Sequence, residues 1–100
     1  MDDLLTLIGQ TYEQDGIGQF VAQETQTDIW AHITSVSRSE WAVAGQSGLS
    51  PSYVATTNIA NYSGEGVAVW KGKRYSIYRT YIKADTDEIE LYLEKQAGIE

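Results

Sequence analysis

A small, mainly β domain is predicted by this sequence: a barrel or sandwich of about six or seven antiparallel strands with one short helix. Its apolar segments are short, rich in Val, Ile, Thr, Trp and Tyr, and bounded by Gly, Asn or Asp, the composition that suits a pleated, half-buried surface. One segment alone carries a helix-start signature. The 100 residues contain no repeat, linker or low-complexity tract, so residues 1–100 are read as one domain with one modest core. Strands this closely spaced close into a barrel or pack as a sandwich.

The apolar runs place strands over residues 4–12, 20–26 and 28–36. Residues 37–51, SRSEWAVAGQSGLSP, hold the helix. Ser37 with Glu40 three residues on forms a capping box, and Gly45 or Gly48 ends the helix after about two turns. So short a helix depends on packing, and Trp41 and Ala44 are its expected anchors. Further strands follow over 53–60, 66–70, 74–83 and 88–94.

The last two strands can be registered by argument. Alternation gathers Ile89, Leu91 and Leu93 on one face, the core face, and Glu88, Glu90, Tyr92 and Glu94 on the other. A hairpin closed by the ADTD turn pairs Ile82 with Ile89, Thr80 with Leu91 and Tyr78 with Leu93. A slip of one residue would carry Arg79 into the core as an unpaired charge. The favoured register sets Lys83 opposite Glu88 and Arg79 diagonal to Glu90 and Glu94. Carried through a two-residue Lys71-Gly72 turn, it puts Val67 and Val69 on the core face. Trp70, Tyr75, Ile77 and Tyr81 then form an apolar outer face, read as a contact surface.

Charge narrows the partners. The formal net charge is −7, which argues against general affinity for nucleic acid or anionic membrane, since polyphosphate binding draws on clustered Lys and Arg. Residues 71–83, KGKRYSIYRTYIK, hold five of the seven basic residues and three of the seven tyrosines, but the acidic strand beside them offsets the charge. No Cys is present, so thiolate chemistry and disulfides are absent. The start MDDLLTLIG has acids where a secretory signal has Lys or Arg, and its apolar run is too short to span a membrane.

No catalytic, cofactor or metal site is expected. His32, the single histidine, sits in the strand DIWAHITSV; a catalytic base would need a nucleophile and an orienting carboxylate nearby, and it reads instead as a structural strand histidine. Asp85, Asp87, Glu88 and Glu90 lack the Gly and Glu of a calcium loop. SGEG at 63–66 lacks the Lys and helix of a phosphate loop. Tyr75, Tyr78 and Tyr81, spaced by three, fall on alternate faces of a strand, which breaks any stacking platform for bases.

Several short motifs occur in order: Ser37-x-x-Glu40-Trp41, Gly48-Leu49-x-Pro51, Asn61-Tyr62-x-Gly64, and Tyr75-x-Ile77-Tyr78-Arg79 before an acidic-Leu-Tyr strand. In this order the chain resembles the head-closure, or stopper, proteins of the head–tail joining family of long-tailed phages. The resemblance covers most of the chain, and the N-terminal third matches mainly in character. It implies a small β-barrel that forms a ring beneath the portal and adaptor, closes the channel over packaged DNA without gripping it, and offers the tail a docking surface. It further implies that residues 37–60 reach toward the channel or a neighbouring subunit. The expected partners are the portal and adaptor ring, tail proteins and copies of the chain itself, at the virion head–tail junction after assembly in the bacterial cytoplasm. Trp41, Leu49, Pro51, Trp70, Tyr75, Ile77, Arg79 and Tyr81 are the expected contact residues. Two other readings stand beside it: an adjacent connector or tail-completion protein, and a barrel binding single-stranded nucleic acid through Lys73, Tyr75, Arg79 and Tyr81.

Overall fold

The computed structural model describes residues 2–95 apart from Asp15, Ile17, Gln19, Ser47 and Leu49, and in residues 11–14 and 20–22 it describes the backbone alone. Six strands, one α-helix and one 3-10 turn follow one another: β1 (Asp3–Gln14), β2 (Phe20–Ser35), α1 (Arg38–Gln46), β3 (Pro51–Asn58), the 3-10 turn Ile59–Asn61, β4 (Val67–Trp70), β5 (Lys73–Ile82) and β6 (Glu88–Lys95). The strands close into an antiparallel barrel in the order β1-β2-β3-β6-β5-β4. Within the barrel, closure removes the sheet edges that would otherwise invite aggregation. The small mainly β fold read from the sequence is therefore present, with the two predicted strands at 20–26 and 28–36 fused into one long β2. Thr27, between them, is itself a good strand former.

The core is one cluster in which Leu5, Leu7, Ala55, Ala68, Leu91 and Leu93 are almost wholly shielded from water, joined by Ile29, Ala31, Ile89, Trp70 and Tyr75. The predicted face of Ile89, Leu91 and Leu93 is the core face of β6. Tyr53 stands edge-on to Trp70 and Tyr75, with ring centroids 4.8 and 6.0 Å apart, an arrangement favoured by the ring quadrupoles.

That aromatic cluster corrects the predicted outer face. The register runs Ile82 to Ile89 and Thr80 to Leu91 as expected, but a β-bulge between Ile77 and Arg79 pairs Leu93 with Ile77 instead of Tyr78. The extra residue reverses the alternation upstream of it. Trp70 and Tyr75 are consequently buried, at 9% and 5% exposure, Ile77 packs against the core, and it is Ala68, not Val67 or Val69, that is fully buried in β4. Strict alternation cannot keep Ile77, Thr80 and Ile82 on one face; the bulge does so while leaving Arg79 outside. Only Tyr81 of the predicted outer quartet is exposed. The two-residue turn is as predicted, with Lys71 and Gly72 at φ 52° and 76° between paired Trp70 and Lys73, the left-handed values a tight hairpin requires.

One element leaves the barrel. β1 and β2 pair without interruption from Asp3 with Ala31 to Gln14 with Phe20, yet β1 meets β4 only through Thr6, Leu7 and Ile8, and β2 meets β3 only through His32–Ser35. From Gly9 with Thr25 onward the hairpin is a two-stranded ribbon of six residue pairs, about 20 Å long at the usual rise per residue. The molecule measures 51 × 32 × 25 Å with a radius of gyration of 15.0 Å, against roughly 13 Å for a compact chain of this length. Of residues 37–60, for which the resemblance implies a reach toward the channel or a neighbouring subunit, α1 lies on the barrel wall, and β3 is a barrel strand between β2 and β6.

Candidate interaction surface

Helix α1 starts as its capping signature predicts and is then used differently. The Glu40 N–H donates to Ser37 Oγ at 3.1 Å, and the Trp41 N–H donates to the Ser37 carbonyl at 2.9 Å. In a complete capping box the Glu40 carboxylate would turn back to the N-cap N–H. Here it faces the barrel: the Tyr78 hydroxyl donates to Oε2 at 2.7 Å, while Arg79 Nε and Nη2 donate to Oε2 and Oε1 at 3.2 and 2.5 Å. The bulge makes this possible, because it turns both Tyr78 and Arg79 outward opposite the single residue Tyr92.

Tyr92 supplies the floor of this latch. Its ring lies 3.8 Å below the Arg79 guanidinium carbon and edge-on to the Tyr78 ring at 6.2 Å. Its hydroxyl donates to Glu90 Oε1 at 2.8 Å. A fork-shaped guanidinium matched to a carboxylate on one edge and stacked on a ring is a geometry lysine cannot reproduce. The Arg79 hydrogen bond, ahead of the opposing desolvation, holds the Glu40 carboxyl below its ordinary range. Burial first, then the bond to Glu40, pushes the Tyr78 hydroxyl well above its ordinary value. The predicted Arg79 contacts with Glu90 and Glu94 are thus replaced by Glu40, 39 residues away in sequence. The predicted Lys83–Glu88 pair is present at 3.5 Å.

The remaining predicted contact residues are scattered. Trp41 was expected to anchor the helix; Ala44 is buried, but Trp41 is 60% exposed, with Val43 beside it also exposed. Pro51 is buried at the start of β3, next to a register shift. Leu49 lies outside the described residues. Trp70, Tyr75 and Ile77 belong to the core as described above. Lys73 and Tyr81 are exposed, but with Tyr75 buried, the four residues Lys73, Tyr75, Arg79 and Tyr81 do not present one surface to a base stack.

Sequence reasoning missed Trp30, which is 63% exposed and pairs across the hairpin with exposed Leu4. The signal was there: alternation in DIWAHI sets Ile29, Ala31 and Ile33 on one face and Trp30 and His32 on the other.

The residues weighed for chemistry lie among local hydrogen bonds. Exposed His32 borders a polar hollow with Asp2, Asn58, Asn61 and Glu88. Its donors and acceptors hold the chain together: Asn61 Nδ2 donates to Thr57 Oγ1, Thr57 Oγ1 donates to the Trp30 carbonyl, and Asn58 Oδ1 accepts from the Ala60 N–H. In the acidic segment, Thr86 Oγ1 donates to the Lys83 carbonyl and accepts from the Glu88 N–H, closing the β5–β6 turn. At SGEG, Glu65 Oε1 accepts from the Ser63 N–H and the Glu65 carbonyl accepts from the Tyr62 hydroxyl, with Gly64 at φ 91°. Among the described residues no group of three or more His, Cys, Asp or Glu is placed to hold a metal ion, and no helix is long and apolar enough to cross a membrane.

No family model and no curated protein matches this chain. Function is accordingly argued from the surface itself: an ion-paired helix presenting Trp41 and Val43, a Leu4–Trp30 pair, and a projecting ribbon.

Proposed function

We propose that this chain is a non-enzymatic structural subunit of a tailed-phage head–tail connector, a ring-forming stopper that closes the portal channel over packaged DNA and provides the tail-docking surface. The observation that supports the reading is the latch. Two of the motifs that carry the resemblance, Ser37-x-x-Glu40-Trp41 and Tyr75-x-Ile77-Tyr78-Arg79, meet as one unit through the Glu40 carboxylate. That contact gives their joint occurrence a physical reason: the helix is held against the barrel so that Trp41 points outward. A closed barrel with a projecting arm is also the form of a part that assembles by its surface.

Its partners on this reading are the portal and adaptor ring, tail proteins and further copies of itself, with DNA passing nearby and no membrane. Its place is the virion head–tail junction, reached by assembly in the bacterial cytoplasm. The test is to produce phage particles lacking the protein. The expected result is loss of packaged DNA and failure to join tails; particles that keep their DNA and join tails normally would overturn the proposal. Density for the chain at the adjacent connector position in a virion reconstruction would assign it there instead.

A further inference from the structure

The β1–β2 ribbon has two long edges, and they are not alike. On the β1 side the chain shields the root itself: a Cβ on Gly9 would come within 3.0 Å of Glu65 Cγ, and Gly9, Gln10 and Gly64 line two adjoining hollows there. On the β2 side the first pairing with β3 is His32 with Thr56, so among the described residues no strand borders residues 20–31.

One hydrogen bond fixes which backbone groups face that open side. The Trp30 carbonyl accepts from Thr57 Oγ1 at 2.9 Å, and Thr57 belongs to β3, so Trp30 turns its backbone groups away from β1. In an antiparallel ladder the N–H and C=O of one residue point the same way, and successive residues alternate. β2 holds its register with β1 without a shift, so Ala22, Glu24, Gln26 and Asp28 also turn their backbone groups outward, while residues 23, 25 and 27 bond β1. Such a row is a template for a further strand, which proteins commonly blunt with Lys, Pro or a bulge. Residues 20–31 contain no Lys, Arg or Pro, and no bulge interrupts them. The side chains of residues 23–28 are all exposed, which leaves a second strand room to approach.

We propose that this β2 edge pairs with the same edge of a second copy, antiparallel, about a two-fold axis at Thr25. Self-pairing matches the open row to an equal one, and the charges choose the register. An axis at Glu24 sets that residue against the partner's Glu24, and an axis at Gln26 sets Glu24 against the partner's Asp28; like charges directly opposite are destabilising. An axis at Thr25 sets Glu24 against the partner's Gln26 and Ala22 against the partner's Asp28. It also places the two Thr25 side chains at a close, non-hydrogen-bonded site, where threonine pairs are favourable. The pairing spans residues 22–28 of each copy and stops where the Trp30 carbonyl is already taken. The net charge of −7 on each copy and the two Glu24 carboxylates near the axis oppose it, so the contact is weak and strengthens as salt screens them. A ring whose copies all face one way has heterologous contacts only. The two-fold pair is therefore a form of the free chain, and it stands or falls apart from the connector role.

The chain has no native cysteine, which makes the test clean. Full-length Thr25→Cys, Gln23→Cys and Lys71→Cys variants, all at exposed positions, are oxidised separately at high protein concentration. In the two-fold register a cysteine at position 25 meets its own counterpart at roughly the 4.5 Å Cα spacing of a non-hydrogen-bonded pair, within disulfide reach, whereas position 23 meets position 27. The expected result is that Thr25→Cys forms disulfide dimers about tenfold or more faster than either other variant, because association raises the local thiol concentration. Mixing Gln23→Cys with Thr27→Cys should restore fast cross-linking, and added salt or Glu24→Gln should speed the Thr25→Cys reaction. Gln26→Pro in the Thr25→Cys chain removes an outward N–H that the barrel does not use and should slow it to the Lys71→Cys rate. Equal rates for the three single variants, slowing by salt, or no gain from Glu24→Gln would each overturn the contact, and none of these depends on the proline variant folding.

Discussion

The Glu40 carboxylate shows how one residue changes meaning between sequence and structure. By spacing it is the second half of a capping box, and the Ser37 half is formed, yet its carboxylate is engaged by Tyr78 and Arg79. Substituting Glu40→Gln keeps the backbone cap and removes the charge. Because Arg79 remains 43% exposed, the ion pair itself is worth at most about 1 kcal/mol. The variant should melt about 4–8 °C lower at most, and Trp41 fluorescence should show a more mobile helix. The pH dependence has a definite sign. A carboxyl held below its ordinary value of 4.5 contributes stability that is present above that pH and is lost as pH falls through the lowered value. A tyrosine held above its ordinary 10.0 contributes stability that is present below pH 10 and is lost as pH rises beyond it. Helix docking should therefore be flat across neutral pH and weaken at both extremes. Glu40→Gln should remove the acid limb, and Tyr78→Phe should reduce the alkaline one, which Tyr92, also held above its ordinary value by burial, shares; an unchanged acid limb in Glu40→Gln would show that other carboxylates control it.

At the scale of elements, the strands were legible because Val, Ile, Thr and aromatic residues between turn signals are a local property of the chain. The helix start was legible from Ser37 and Glu40, and the two-residue turn from Lys71-Gly72. The bulge at Tyr78 was not. Whether a strand inserts an extra residue depends on what both sides of the sheet must bury, and nothing local marks it. That one residue moved Trp70 and Tyr75 from a predicted contact face into the core and brought Arg79 to Glu40. The ribbon was equally hidden, since strand length is readable but the extent of each neighbour's pairing is not. Hydrogen exchange tests its status. Amides of residues 10–14 and 20–26, with no strand beyond them, should exchange far faster than those of Leu5, Leu7, Leu91 and Leu93, which lie inside the closed barrel, because local opening is cheapest where few buried contacts are lost. Protection of the ribbon equal to that of the barrel in dilute protein would mean that it already has a partner.

For the whole molecule, closure is the feature on which cooperativity turns, and its narrowest seam is the place to probe it. β1 and β4 meet through three register pairs, and at their centre Leu7 and Ala68, both fully buried, lie opposite one another. Leu7→Ala opens a cavity at that seam, at a cost of about 2–5 kcal/mol, a large share of the roughly 5–15 kcal/mol that stabilises an ordinary domain. Leu4→Ala, three residues away and half exposed, serves as the matched control and should cost about 0.5 kcal/mol or less. Urea unfolding followed by tryptophan fluorescence separates two ways in which the seam can fail. If the barrel unfolds as one unit, Leu7→Ala lowers the midpoint and leaves the slope unchanged, because the surface exposed on unfolding is the same. If β1 and β4 part first, the barrel becomes an open sheet with part of its core already wet, and the slope falls as well. The single shared core, in which Leu7 and Ala68 join residues from every other strand, favours the first outcome: a lower midpoint, an unchanged slope and one transition.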